Sequence, residues 1–444
     1  MQRIRLAFVT LFTTVTVLWL TTAGVVPVDY SRFWPLRADM VHYSGALAIT
    51  AMSAAIYLAI RPQWLERLLG GLDKNYRLHK WLGIAALVVS AVHWGWAQIP
   101  KWLVDLGWLQ PPARRGAGQI QEGLIGWLHQ QRGFAEDIGE WAFYLAALLI
   151  ILALLKQFPY RWFFKTHRWL GLVYLVLVAH SMMLMRPAYW SSVLGATMAL
   201  LLAAGSFAAG VSLLRRVGRR HQVVGHIEEL TYHADNRVLQ VHIMLDGAWP
   251  GHTPGQFAFV TFDETEGPHP FSLSSAWQND GQLSFSIKGI GDYTRTLPQI
   301  LHSGDAVTIE GPYGCFDFRG RAPAQIWIAG GIGIAPFLGQ LQALAADKEQ
   351  RHQVDLFYCT GAPDQGFIAG LEALAEAARI RLHVLTTAEQ GRLTPARVRQ
   401  LVPDWQNRDV WFCGPARFGS ELRHDLTEHG LPASDFHQEL FNMR

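Results

Sequence analysis

Four histidines lie inside apolar stretches of this chain, His79 and His93 in one and His167 and His180 in another. An ionisable side chain in a lipid-spanning segment is costly unless it is paired or coordinated, so each is a functional candidate. Imidazole is the commonest side-chain metal ligand. Two pairs at two depths of a bilayer would account for two bis-histidine haems, one above the other. One such histidine is readily explained as a hydrogen-bonded group within a helix bundle; four at matched depth are not. A shared zinc ion is disfavoured, because the pairs lie too far apart and no Cys or Glu joins them. His42 also sits near a membrane end, without a partner at its depth, and reads as a plain interfacial residue.

The elements that must carry these residues are visible in hydropathy. Of the 444 residues 50% are hydrophobic and 18 are Trp, concentrated in the first half. Six candidate spans, residues 6–23, 40–60, 78–97, 138–155, 167–185 and 191–214, each approach the roughly 20 residues that cross a bilayer. The first, with Arg3 and Arg5 ahead of an apolar core, also has the form of a signal peptide, although no clean cleavage site follows it. With the N-terminus inside, the short inner stretches (Arg61, Lys74, Arg77, Lys165, Arg215 and Arg220 among them) hold about twice as many Lys and Arg as the outer ones, which places the second half in the cytoplasm. The third and fifth spans then run the same way, setting His79 beside His167 near the inner face and His93 beside His180 near the outer face. The spacings of 14 and 13 residues correspond to about 20 Å along each helix. Fourteen residues return a side chain to within roughly 40° of its starting face, whereas thirteen leave it roughly 140° away. The fifth span must therefore tilt, bend or wrap around what the histidines hold.

After Arg220 the pattern changes. Short alternating stretches at 237–244, 256–262 and 283–288 read as antiparallel strands of a small β-barrel. Past residue 321, apolar runs at 325–329, 354–359, 380–386 and 409–413 alternate with helical segments at 336–346, 368–378, 395–401 and 416–429, an α/β nucleotide-binding pattern. The expected division is a six-helix transmembrane domain over 1–220, a flavin barrel over 221–321 and an α/β domain over 322–444. Gly330, Gly331, Gly333 and Pro336 form a turn between the first strand and helix of the last domain, where backbone N–H groups meet a pyrophosphate at a helix N-terminus. The three cysteines, Cys315, Cys359 and Cys413, all lie in this half and suit a reduced compartment. A net charge of +3 and the absence of a basic patch give no sign of nucleic-acid binding.

In this order the motifs resemble the ferredoxin-NADP reductase superfamily, and within it the membrane branch of NADPH oxidases and ferric reductases, from about residue 40 onward. His269, Pro270, Phe271 and Ser272 resemble that branch's flavin signature; the resemblance implies that Ser272 hydrogen-bonds the flavin and that the preceding backbone lines it. Lys288 and the following Gly291, Tyr293 and Thr294 are similar to the segment that holds the FAD pyrophosphate. Gly311 to Gly314 resemble the turn that ends the flavin barrel. Cys413, Gly414 and Pro415 resemble the loop beside the nicotinamide, and Phe441 resembles the aromatic that covers the flavin until nicotinamide displaces it. The histidine spacings match the family's two-haem core.

The resemblance implies a multi-pass protein of a bacterial-type plasma membrane, in contact with lipid, that passes electrons from cytoplasmic NADPH or NADH through FAD and two b-type haems to an external acceptor, dioxygen or ferric iron. With both axial positions occupied, the acceptor is reduced at the haem edge. Two departures are visible. No Arg follows the second strand of the nucleotide domain to meet a 2′-phosphate, and Arg417 reads as a surface residue, which puts NADPH preference in doubt. Ala97 stands one turn beyond the outer ligand, where dedicated oxidases carry a polar residue, which weakens superoxide formation relative to reduction of a ferric acceptor. The external stretch at 96–132 would cap the outer haem or form a simple interfacial loop. No calcium-binding loop is visible, which leans towards constitutive activity. Two rivals stand beside this reading: a haem-free, membrane-tethered flavin reductase serving a cytoplasmic partner, and a scaffolding protein with a decayed reductase module. A partner subunit and the oligomeric state are not legible.

Overall fold

Leucine, alanine and valine dominate the first half, and in a computed structural model they build long helices. The structure describes residues 2–23, 30–112, 131–155, 157–347 and 353–439. Among these, six spans are long and apolar enough to cross a membrane. Helices α1 (Gln2–Ala23), α2 (Phe33–Ala59), α3 (Leu72–Asp105) and α4 (Arg132–Leu154) supply four; α5 (Tyr160–His167) and α6 (Leu170–Leu184) together supply the fifth, and α7 (Val193–Leu213) the sixth. Leu6, Val88, Leu148, Leu200 and Phe207 stand on the outside of the bundle, an apolar surface that only lipid satisfies. The interior is built from Trp19, Ile49, Tyr174, Met198 and Leu202, with small residues such as Ala51 and Ala208 where helices approach.

The fifth span begins earlier than hydropathy placed it. Arg161 and Lys165 lower the local hydropathy, yet both lie over the Trp162 ring at 5.7 Å, the behaviour of cations at a membrane interface. The span is overwound at its middle: α5 ends at His167, and Trp169, Gly171 and Leu172 donate their N–H groups to carbonyls only three residues back, those of Thr166, Arg168 and Trp169. Such 3₁₀ turns advance about 120° per residue instead of about 100°. A run of about four recovers roughly 80° of the 140° by which thirteen α-helical residues miss the starting face. Local overwinding thus supplies part of the rotation that the thirteen-residue spacing lacks.

A second compact unit starts at Gly218. Its first sheet is antiparallel, in the order β4-β3-β6-β1-β2-β5, from β1 (Gln222–His233), β2 (Val238–Leu245), β3 (Phe257–Thr261), β4 (His269–Ser272), β5 (Gln282–Lys288) and β6 (Ala306–Tyr313). A bridge between Leu273 and Phe285 brings the chain after β4 back onto β5, which closes the sheet on itself. Side chains of β2 alternate in and out, as one buried face demands. Its core is Val241, Ile243, Val260, Phe285 and Ile309.

The second sheet is parallel, β11-β10-β7-β8-β9, from β7 (Ala324–Gly330), β8 (Gln353–Thr360), β9 (Arg381–Thr386), β10 (Asp409–Cys413) and β11 (Phe436–Gln438). Strand β7 is almost wholly buried, because α8 (Ala335–Ala346) and α10 (Ala416–Glu428) belong to layers that cover both sheet faces, with α9 (Gln365–Ala377) between them in sequence. The chain runs outward from β7 through β8 to β9, then returns to lay β10 on the other side of β7. That reversal opens a crevice at the C-terminal ends of β7 and β10. Strand β11 is too short to be read from periodicity.

Candidate functional site

In the membrane half the four histidines form two pairs. The His79 and His167 ring centres lie 5.9 Å apart with planes at 69°, and those of His93 and His180 lie 6.3 Å apart at 88°. A metal–imidazole bond is about 2.0 Å and the nitrogen sits about 1.1 Å from its ring centre, so two rings on opposite sides of one metal have centres roughly 6.2 Å apart. Both pairs fit that separation. Among the described residues no group of three or more His, Cys, Asp or Glu could hold a metal ion. Two opposed imidazoles are the axial pair that a porphyrin-bound iron takes.

Tautomers are set from behind. His79 Nδ1 donates to the Ala55 carbonyl at 2.8 Å, His93 Nδ1 to the Val41 carbonyl at 2.9 Å and His180 Nδ1 to the Ala135 carbonyl at 2.7 Å. A carbonyl oxygen only accepts, so Nδ1 carries the proton and Nε2 is left with the lone pair that binds metal. The two acceptors on α2, Val41 and Ala55, are fourteen residues apart, the same spacing as the histidines they meet on α3. His167 lies at the end of α5, stacked on Phe163 at 4.9 Å.

Two residues that periodicity could not single out make the outer pair possible. In a helix the side chain four residues on covers a carbonyl from the side. Four residues past Val41 stands Gly45, and four past Ala135 stands Gly139. A Cβ on Gly139 would fall on the His180 imidazole, and one on Gly45 would come within 3.1 Å of His93. Each glycine opens the space through which a ring reaches helix backbone.

A cavity next to this outer pair is also lined by His42, Ser90, Ala97, Arg37 and Arg132. His42, expected as a plain interfacial residue, thus shares the space of His93 and His180. Arg37 donates to the carbonyls of Trp96 at 3.0 Å and Ala97 at 2.8 Å. Pro100 has no N–H to offer the Trp96 carbonyl four residues back, and the guanidinium takes its place. Buried Asp39, passed over in the sequence, is paired with Arg186 at 3.5 Å and accepts from Tyr30 at 3.1 Å.

In the soluble unit the flavin-motif residues converge. His269 on β4 stacks on Tyr293 at 4.8 Å and lies 6.3 Å from Phe271 in nearly parallel orientation. Burial holds His269 below the ordinary imidazole value against a smaller opposing pull from Asp292, so the ring is a neutral stacking surface at pH 7. Burial, then Asp263 and Glu266, push the Tyr293 phenol up to about 12, and its buried hydroxyl has no partner among the described residues. An unmet donor beside stacked rings suits a polar aromatic cofactor such as FAD. The Thr294 hydroxyl oxygen accepts from the N–H groups of Ile290 at 3.1 Å and Gly291 at 3.0 Å, which leaves its own proton to donate outward. Pro270 and Ser272 pair with Phe259 and Phe257 across β3.

Gly331 has φ +58°, and the Lys288 ammonium lies 3.9 Å from where its Cβ would be. Lys288, expected on the flavin pyrophosphate, therefore reaches from the barrel to the glycine turn of the nucleotide domain. Burial, then Arg237, hold this lysine below its ordinary value, and a bound pyrophosphate would reverse that. A Cβ on Gly333 would overlap the Cys413 carbonyl, and Gly330 lies against Gly414 and Pro415. The two loops of the crevice thus pack backbone to backbone, with Pro336 opening α8. Cys413 is fully buried and its thiol is pushed well up by burial and then Glu439, so it serves as a neutral wall and not as a thiolate. Arg417 is exposed and bonded to Glu421 at 2.9 Å. Phe441 and residues 113–130 of the external stretch lie outside the described residues. Barrel and nucleotide domain are tied by Ala276 N–H to Gln342 at 3.0 Å and by His233 to Asp364 at 3.3 Å.

Comparison with known proteins gives three family matches in chain order. Residues 44–178 match the family described as ferric reductase like transmembrane component, residues 228–316 an FAD-binding domain and residues 327–423 an oxidoreductase NAD-binding domain. An NADPH oxidoreductase of Mycobacterium tuberculosis is 38% identical over 152 residues, covering 33% of this chain and 40% of that protein. The toluate 1,2-dioxygenase electron transfer component of Pseudomonas putida is 27% identical over 197 residues, covering 42% and 58%. The chain thus spans about half the length of the curated relatives it matches. Among solved structures, a flavohemoglobin from Malassezia yamatoensis is 18% identical with a TM-score of 0.48, covering 92% of this chain and 96% of that one.

Proposed function

From a chain that joins a ferric reductase-like transmembrane domain to ferredoxin reductase-like FAD and NAD domains, and so is a multi-pass, flavin-dependent NAD(P)H oxidoreductase, we propose a transmembrane electron carrier. It takes electrons from cytoplasmic NADH or NADPH and delivers them singly to an external acceptor, dioxygen with release of superoxide or a ferric complex. Residues 1–220 form the electron-transfer domain, 221–321 the flavin domain and 322–444 the nicotinamide domain. The observation that carries this reading is the pair of histidine pairs, spaced at 5.9 and 6.3 Å to share one metal each.

When bound, FAD converts a two-electron donor into single electrons and the haems pass them one at a time across the bilayer. The chain supplies placement. Lys288 and the N–H groups of the turn at Gly330, Gly331 and Gly333 receive a dinucleotide pyrophosphate, while Cys413, Gly414 and Pro415 wall the nicotinamide side. His269, Phe271 and Tyr293 give the flavin a stacking surface, Ser272 and Thr294 give it donors, and Phe441 shields it between turnovers. His79 with His167, and His93 with His180, hold the inner and outer metal; Ala55, Val41 and Ala135 keep Nε2 available in three of the four. Arg215, Arg216, Arg219 and Arg220, between α7 and the barrel, keep the dehydrogenase half on the cytoplasmic side.

The test is to reduce detergent-purified protein anaerobically with NADH or NADPH and to add air or a ferric chelate separately while recording the visible spectrum. Haem bands that reoxidise in air identify an oxidase, and bands that reoxidise with the chelate identify a ferric reductase. Flavin bands alone overturn the two-haem reading.

A further inference from the structure

One buried polar side chain of the membrane half is used by nothing described above. Asn75, near the start of α3, is 1% exposed, and neither its side-chain oxygen nor its nitrogen has a hydrogen-bond partner among the described residues. At 1% exposed it is shielded from bulk solvent. A carboxamide with every donor and acceptor unmet is among the more expensive defects a fold can carry, and such a group in a native protein calls for a partner that the chain does not itself provide.

Its place on the helix says which partner. Asn75 precedes His79 by four residues, so it lies on the same face, about 40° round and about 6 Å nearer the cytoplasmic end. It is therefore on the ligand face of α3, one turn closer to the aqueous side than the inner histidine pair. A haem held there has an apolar ring and ionised carboxylates at its edge, and carboxylates in a membrane interior need donors or a route to the aqueous face. The carboxamide nitrogen donates without adding a charge of its own. An N-capping role does not account for the residue, since its oxygen accepts from no backbone N–H.

Resting on the two-haem reading, we propose that Asn75 is a positioning residue of the inner haem site, donating its side-chain N–H to a haem carboxylate. The donor draws negative charge away from the iron and so raises the reduction potential of the inner haem, which favours its acceptance of electrons from the flavin side.

The experiment uses full-length detergent-purified wild type, Asn75→Leu and Asn75→Asp, with haem-to-protein ratio and a spectroelectrochemical titration as readouts; flavin content checks the fold of each variant. For Asn75→Leu the expected result is either a ratio that falls from two towards one or, with both haems retained, a lower midpoint for one haem and an unchanged midpoint for the other. Asn75→Asp, which replaces a donor by an anion, lowers the same midpoint further or loses the same haem. A wild type with two haems and an Asn75→Leu protein with the same ratio and both midpoints unchanged would overturn the proposal while leaving the two-haem reading intact. A wild type without haem would overturn both.

Discussion

The outer and inner histidine pairs have similar ring separations, 6.3 and 5.9 Å, in different surroundings. His93 and His180 both sit within helices and hydrogen-bond to helix backbone on α2 and α4, through gaps left by Gly45 and Gly139. In the inner pair His79 meets the Ala55 carbonyl, and His167 stands at a helix end stacked on Phe163. The outer pair is thus framed by backbone geometry and missing side chains, the inner by a helix end and by side chains, with Asn75 among them on the proposed reading. A backbone-framed site fails when anything is added to it; a site framed by side chains fails when something is taken away.

That contrast is open to attack, first through the ligands themselves. His180→Leu should cut the haem-to-protein ratio from two to one and reduce electron delivery to an external chelate by more than about 100-fold, since even supporting residues of metal sites are worth about 10–100-fold. Retained transfer would end the two-haem reading. Gly139→Ala should come close to this loss, because the added methyl overlaps the His180 ring; a variant with both haems at wild-type occupancy would show that the backbone frame does not matter. Gly45→Ala meets His93 at 3.1 Å, a contact that a few tenths of an ångström relieves, and should weaken outer-haem retention about tenfold, or about 1.4 kcal/mol. Haem content after dilution and extraction would rank the two glycines, and an inverted ranking would break the argument.

A variant in the other half provides the control. Asp355 on β8 is buried and receives Arg408 at 2.8 Å, His383 at 2.8 Å and Arg381 at 3.2 Å. Burial raises its pKa, but the His383 hydrogen bond and the Arg381 and Arg408 charges outweigh that and hold it below the ordinary carboxylate value. A depressed carboxylate contributes stability above its unfolded pKa and loses it as pH falls through the folded one. Unfolding of the soluble half should therefore become easier in wild type below about pH 4. Asp355→Asn should cost about 1–3 kcal/mol, because buried Arg408 loses one of its two carboxylates and keeps Asp404 at 2.8 Å, with haem bands unchanged. Loss of haem in that variant would mean that the ratio reports general unfolding.

Much of this is legible in the sequence. Hydropathy gave six spans because a bilayer imposes one length and one polarity on whatever crosses it, and the alternation of β2 gave way to the solid apolar run of β7 because one sheet is buried on one face and the other on both. The flavin and nucleotide turns were visible because pyrophosphate binding needs glycine at particular places. The start of the fifth span was misplaced, since Arg161 and Lys165 look polar until their stems and the Trp162 ring are seen together. The neighbours of His42, Arg37 and Lys288 are not legible for a related reason: each meets residues distant in sequence, and nothing in its own stretch announces them.

The sequence by itself determined which groups are available: four imidazoles at two depths, a glycine turn after a buried strand, and an asparagine one turn before a ligand. Only the tertiary structure decided how they are used. Which nitrogen of a histidine holds its proton depends on a carbonyl some twenty to fifty residues away, and whether a thirteen-residue spacing can face a fourteen-residue one depends on a local overwinding with no mark in the hydropathy. Composition and periodicity record what a segment prefers along its own axis. Ligand geometry is set across axes, where helices meet.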